Sequence, residues 1–415
     1  MLPIISPNKD VINKLKKLGP GIIITSAFIG PGTVTICTLA GINYGYSLIW
    51  CIIFSILATC YLQEVSSRLG IISRKGLSEV LIDIDNIFMR RVIISIIFLS
   101  LFIGNAAYES GNISGTVMGL ETFIGSIEIT LSNFTINFTP IVIGLFLALI
   151  IGNGSYKFFE KALIFLVFTM SFTFVLVAIT STPSINDLMG GLKPNVNETN
   201  FIYVVGLIGT TVVPYNLFLH SYVAKKRWTS EKDYKSSVFD TVFSILIGGI
   251  ISLSIIITAA ASQISINQDE IKNAVDLGNQ LSPTLGSFSK YFISIGLFCA
   301  GITSSITAPI ATSYALSGIF NYKAEWNDKI FKRVAYIVIS IGVIFSSVNY
   351  NPILVIKLAQ FVNGLFLPFI AIFLIWSVNK RNIMGKYVNS KFYNLLGILI
   401  VIVSLVISYR SLILL

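Results

Sequence analysis

The chain has 415 residues, of which 54% are hydrophobic and only 12% charged, with a single histidine and a formal net charge of +10; its mean hydropathy is +0.82. That usage excludes an ordinary water-soluble domain and points to an integral membrane protein. The basic excess is no nucleic-acid footprint, because the Lys and Arg residues sort by side of a bilayer.

In chain order, apolar runs long enough to cross roughly 30 Å of hydrocarbon, about 20 residues each, fall near 19–42, 45–69, 91–120, 139–154, 159–181, 201–224, 238–263, 289–319, 333–350, 353–378 and 393–413. Eleven spans are therefore expected. The first is too long for a signal-peptide core and is read as a retained span. With the N-terminus cytoplasmic, all but five of the 29 Lys and Arg residues lie on the cytoplasmic side, from Lys9, Lys14, Lys16 and Lys17 through Lys157, Lys161 and the Lys225-Lys226-Arg227 run to Lys323, Lys386 and Lys391. The exceptions are Lys193, Lys272, Lys290 and Arg410 on the opposite side and Lys357 inside a span. An odd number of spans then puts the C-terminus outside the cytoplasm. Cys37, Cys51, Cys60 and Cys299 sit in apolar runs without Cys-x-x-Cys spacing, so they read as small buried hydrophobes.

Two spans are interrupted. The first contains Gly30-Pro31-Gly32-Thr33, and the sixth contains Pro214 within GTTVVPYNLFLH. Proline removes a backbone donor and clashes with the preceding turn, and glycine adds freedom, so both helices unwind there. Unpaired backbone survives in hydrocarbon only where it lines a cavity or is buried in protein. Five spans separate the breaks, so the two helices cross in opposite directions. The expected architecture is all-α: a single transmembrane domain of two inverted five-span repeats, about 14–182 and 200–380, followed by an extra helix at about 391–413. Paired half-helix ends with freed carbonyls make a site for a cation or an anionic group at mid-membrane.

The segments GPGIIITSAFIGPGT, GTTVVPYNLFLHS, LFCAGITSSITAPIATSYALSG and AQFVNGLFLPFIAIFLI resemble the Nramp family of proton-coupled divalent-metal transporters, in family order over nearly the whole chain. The resemblance implies the leucine-transporter-type fold with eleven spans. It also exposes departures. Gly30 and Thr33 stand where the family has the aspartate and asparagine of Asp-Pro-Gly-Asn, and Val213 and Tyr215 stand where it has the methionine and histidine of Met-Pro-His-Asn, leaving Asn216 matched. Thr210 matches the residue whose carbonyl joins the family's site.

The candidate substrate-binding set is Gly30, Thr33, Thr210, Thr211, Val213, Tyr215, Asn216, Gln360 and Asn363, with Thr33, Thr210 and Asn216 as candidate metal ligands. Gln360 and Asn363 match a place where the family closes a glutamine over its substrate. Without thioether or carboxylate, this neutral oxygen set suits a hard, partly hydrated cation such as Mg²⁺ better than a bare transition ion. It also suits a zwitterionic solute. Glu109, deep in the third span, is read as a proton acceptor or remote counter-charge, against a hydrogen-bonded structural role. His220 matches a histidine of the family's proton route, against a packing role. Glu64 and Arg68, four residues apart, read as a structural or gating ion pair, and Asp240 as a helix-end residue.

The expected function is transport of a divalent metal cation, Mg²⁺ or Mn²⁺, with proton coupling implied by the resemblance. The alternative on the same fold is a carrier of a small organic solute such as an amino acid. A non-transporting sensor would carry a regulatory appendage, and no nucleophile–base pair, metal-ligand spacing or phosphate loop marks an enzyme or a cofactor. The expected partners are the substrate and the lipid bilayer, in a multi-pass cell-membrane location.

Overall fold

The structure, a computed structural model, describes residues 20–131, 134–153, 165, 168, 171–181, 183–262, 271–320, 322, 325–326, 328–348 and 351–414. The expected cytoplasmic residues Lys9, Lys14, Lys16, Lys17, Lys157, Lys161 and Lys323 lie outside them, as does part of the fifth expected span.

Local chemistry sets the helix boundaries. Helix α1 (Pro20–Phe28) stops before Gly30, whose backbone is extended, and Pro31 opens α2 (Pro31–Tyr44) at a position where a missing N–H costs nothing. Gly45, at φ +56°, ends α2, and a short turn leads to α3 (Ile49–Ser73). Helix α4 (Ile87–Ile124) is capped by Asn86, whose Oδ1 accepts from the Met89 N–H at 3.0 Å. At about 57 Å it exceeds the hydrocarbon thickness, so it tilts or projects beyond it.

An antiparallel hairpin follows, β1 (Glu128–Leu131) with β2 (Phe134–Asn137), in register Glu128↔Asn137. It adds a small sheet to the expected all-helical chain. Its alternating β-branched residues favour a strand over a helix once the run leaves hydrocarbon. Next come α5 (Thr139–Asn153) and α6 (Ser171–Thr180). The second broken helix is α7 (Phe201–Thr211) and α8 (Pro214–Arg227), parted at Val212 and Val213. The remaining long helices are α9 (Tyr234–Ala261), α10 (Ser289–Phe320), α11 (Lys329–Ser347), α12 (Pro352–Val378) and α13 (Lys391–Leu414). Asp328 caps α11, and Asn351 with Pro352 starts α12.

Among the described residues, eight helical stretches are long and apolar enough to cross a membrane, and α5 and α6 are shorter apolar helices. One of the eight, Pro31–Ser73, joins α2 to α3 and so takes in parts of two expected spans. The chain is a multi-pass membrane protein.

Its polarity is distributed accordingly. Large apolar side chains such as Leu57, Phe88, Leu145, Ile344 and Leu399 are exposed, while Asn105, Glu109, Asn112, Asp240, Gln360 and Asn363 are buried. The broken helices occupy the middle. Helix α2 packs on α9 and α7, α7 on α12 and α3, and α8 on α3 and α10, with α4 running along α10, α12 and α11. Asp240 lies in the second turn of α9 rather than at its end; buried there, its carboxylate accepts the Gly21 N–H at 2.8 Å and holds the start of α1.

Candidate functional site

Each break follows from a proline. Pro31 has no N–H to offer Ala27 four residues back, and Pro214 has none to offer Thr210. Two carbonyls are thereby released from their helices.

At the first break the released groups find side chains. The Tyr108 hydroxyl, from α4, donates to the Ala27 carbonyl at 3.3 Å. The Thr33 hydroxyl reaches back across the gap and donates to the Phe28 carbonyl at 2.5 Å. Gly30 allows this closeness, because a Cβ there would stand 2.8 Å from Ser304 Oγ and 3.3 Å from the Tyr108 hydroxyl. Ser304 Oγ is itself buried without a hydrogen-bond partner among the described residues.

At the second break, the Thr59 hydroxyl, which donates to the Ser55 carbonyl at 2.7 Å, lies 3.3 Å from the Thr211 carbonyl, and the Thr211 hydroxyl donates back to Leu207 at 3.0 Å. Thr211 is thus engaged with its own helix and α3. Asn216, in the first turn of α8, donates its N–H to the Val213 carbonyl at 3.1 Å, and its Oδ1 is buried with no hydrogen-bond partner among the described residues. Val213 is buried at the N-cap of α8, and Tyr215 packs edge-to-face on Tyr108, ring centroids 5.3 Å apart.

The breaks meet through their threonines. Thr33 Oγ1 and Thr210 Oγ1 are 3.0 Å apart, joining residues 177 positions distant in sequence. Since Thr33 spends its one proton on the Phe28 carbonyl, Thr210 is the donor in this pair. Gln360, on α12, closes over the joint. A Cβ on Gly32 would overlap its side-chain amide, and a Cβ on Gly209 would overlap its carbonyl, so glycine on each broken helix permits the approach. Gln360 Oε1 is buried without a hydrogen-bond partner among the described residues. Thr33, Thr210, Tyr215, Asn216 and Gln360 are each no more than 1% exposed, so this arrangement is occluded.

Asn363 sits one turn further along α12, its Oδ1 turned toward α4 at Gly104. Glu109 is fully buried on α4, its Cγ lying against Gly342 of α11 and one oxygen 3.4 Å from Asn112 Nδ2. His220 is fully buried in α8. Its Nδ1 lies 2.9 Å from Gln63 Oε1, an acceptor, so Nδ1 carries a proton, and Nε2 has no hydrogen-bond partner among the described residues. Glu64 and Arg68 form a buried pair at 3.3 Å; Tyr234 donates to Glu64 at 2.6 Å and Arg68 donates to Asn389 at 2.5 Å, tying α3 to α9 and to the segment before α13.

Tyr108, Ser304 and Gln63 touch this machinery without having been singled out by sequence. Tyr108 and Ser304 lie in the polar stretches YESGN and TSSIT of apolar helices, the one signal that would have flagged them.

The profile described as natural resistance-associated macrophage protein-like, Nramp, matches residues 21–414. The divalent metal cation transporter MntH of Staphylococcus saprophyticus is 24% identical over 406 residues, covering 93% of this chain and 89% of that relative. MntH of Nostoc sp. is 27% identical over 400 residues, covering 93% and 88%. Among solved structures, a manganese transporter of Eremococcus coleocola superposes with a TM-score of 0.76 at 18% identity, covering 99% of this chain and 89% of that one. MHP1, a nucleobase-cation-symport-1 family transporter in a closed conformation, superposes at 0.52 with 12% identity, covering 94% and 90%. The fold is the leucine-transporter type, with the two broken helices at its centre. By a profile match that runs from α1 to the end of α13, the chain belongs to the Nramp family.

Proposed function

We propose that this chain is a secondary transporter for a hard divalent cation, Mg²⁺ or Mn²⁺, alternating access around the joint between α1/α2 and α7/α8. The observation that carries the reading is the Thr33–Thr210 contact, which brings two opposed helix breaks into one buried, oxygen-lined place. The Thr210 carbonyl, the Thr33 and Thr210 hydroxyls, Asn216 Oδ1 and Gln360 Oε1 are its donors. Two of them, Asn216 Oδ1 and Gln360 Oε1, have no partner among the described residues, and a partly hydrated cation satisfies such oxygens directly or through its waters. With Val213 in the thioether position, preference for softer transition ions is lost. The relatives named above are divalent metal cation or manganese transporters.

Glu109 and His220 are the proton-carrying groups of this reading, since both are ionisable and buried within spans. The lysine and arginine asymmetry supports an N-terminus in the cytoplasm and a C-terminus outside it, with repeats at about 14–182 and 200–380. One observation favours the alternative cargo, a small zwitterion such as an amino acid. Among the described residues no group of three or more His, Cys, Asp or Glu gathers to hold a metal.

A flux panel in proteoliposomes separates these readings, with Mg²⁺, Mn²⁺, Ca²⁺ and amino acids each tested with and without a pH gradient. Accumulation of Mg²⁺ or Mn²⁺, driven by the gradient in the wild type and indifferent to it in Glu109→Gln, is the expected result. Amino-acid uptake with no divalent-cation flux replaces the reading with the alternative.

A further inference from the structure

Where α2 ends and α7 begins, one tyrosine of α7 collects contacts from two other helices, α2 and α12. Tyr203, in the first turn of α7, is buried. Its hydroxyl lies 3.2 Å from Lys357 Nζ of α12 and 3.3 Å from Asn43 Nδ2 of α2. Both neighbours are donors, and the two lone pairs of one hydroxyl accept them together. The Lys357 ammonium also stands 5.1 Å from the Tyr203 ring centroid. Tyr44 packs edge-to-face on that ring at 5.3 Å and donates to the Thr199 carbonyl, which anchors the cluster to the segment entering α7.

Lys357 precedes Gln360 by three residues, about 4.5 Å along the axis of α12, and is half-buried. A fixed positive charge so close to a cation's path is costly to the cation, because poorly hydrated surroundings strengthen like-charge repulsion. Helix α12 contributes both Gln360, which covers the joint, and Lys357, which fastens the ends of α2 and α7 one turn away.

We propose that Lys357 is the gating and selectivity residue of this mouth. While the joint is occluded, its ammonium, with Asn43, clamps α12, α7 and α2 together through the Tyr203 hydroxyl. Opening on this side detaches Lys357 from Tyr203, and its charge then weakens binding of the incoming divalent cation. The selectivity half of this inference rests on the cation reading above; the clamp half does not.

The test uses the full-length protein in proteoliposomes, as wild type, Lys357→Met and Lys357→Arg, with uptake of Mg²⁺ and Mn²⁺ measured at low and high ionic strength. Hydrogen–deuterium exchange is followed over residues 36–44 and 201–205. Lys357→Met is expected to lower KM for divalent cations roughly threefold to tenfold, and to flatten the fall of KM with salt that screening produces in the wild type. Exchange in both segments rises in Lys357→Met, while Lys357→Arg keeps the wild-type values of both readouts. An unchanged or higher KM in Lys357→Met overturns the selectivity role, and unchanged exchange overturns the clamp. If the wild type moves no divalent cation, the cation reading fails and the selectivity role with it, and exchange alone decides the clamp.

Discussion

The two helix breaks are built differently. At the first, the Ala27 and Phe28 carbonyls are both taken up, by Tyr108 and Thr33. That gap is stitched shut by the protein's own hydroxyls. At the second, the Thr211 carbonyl has only the Thr59 hydroxyl at 3.3 Å, shared with the Ser55 carbonyl at 2.7 Å, Pro214 withholds a donor from the Thr210 carbonyl, and Asn216 Oδ1 has no hydrogen-bond partner among the described residues. The comparison teaches a division of labour. On the proposed cation reading, the second break supplies most of the oxygen atoms that can turn to a cation, and the first holds the geometry in which they face one place. With Gly30 where the family resemblance puts an aspartate, that reading gives the first break a structural task and places the burden of binding on α7 and α8.

Substitutions can break that division. The largest expected effect is in Asn216→Ala, where a buried oxygen acceptor is removed from the second break. Initial rates of Mg²⁺ or Mn²⁺ uptake should fall by about tenfold or more, in the range set by losing a hydrogen-bond-type contact to a charged group. Detergent-solubilised protein should keep its wild-type elution profile. Thr33→Val should be milder, because it removes the stitch to Phe28 and the acceptor of the Thr210 proton but no unpaired donor oxygen. A net hydrogen bond of about 1 kcal/mol corresponds to roughly a fivefold rise in KM. Should Thr33→Val prove the more damaging of the two, the assignment of binding to the second break is reversed.

The breaks themselves were legible because proline and glycine act locally. Nothing beyond Gly30-Pro31 and Pro214 is needed to see where α1 and α7 must end. The spans were legible for a similar reason, since hydrocarbon accepts only long apolar runs with internally paired backbone. What the sequence hid depends on distance in space. Tyr108 is 81 residues from the carbonyl it holds, and Gln63 is 157 residues from His220. No periodicity in one helix announces which turn of another will face it.

Asp240 shows the same limit in a sharper form. Read along the chain it is an acid near the start of a span; in space it is the acceptor that fixes the Gly21 N–H at the start of α1. Lys357 was visible as a lysine inside an apolar run, yet only the structure sets its ammonium beside the Tyr203 hydroxyl, which Asn43 also reaches. The hairpin β1–β2 was hidden by a different ambiguity, because a short β-branched run beside a long apolar helix does not reveal its own period.

The most direct test of the central claim is anomalous scattering from crystals of the protein soaked in Mn²⁺. The account predicts a peak between the two breaks, within coordination range, about 2 to 2.5 Å, of the Thr210 carbonyl or Asn216 Oδ1, or one water further out. Absence of a peak there, with Mn²⁺ held instead beside Glu109, would contradict it.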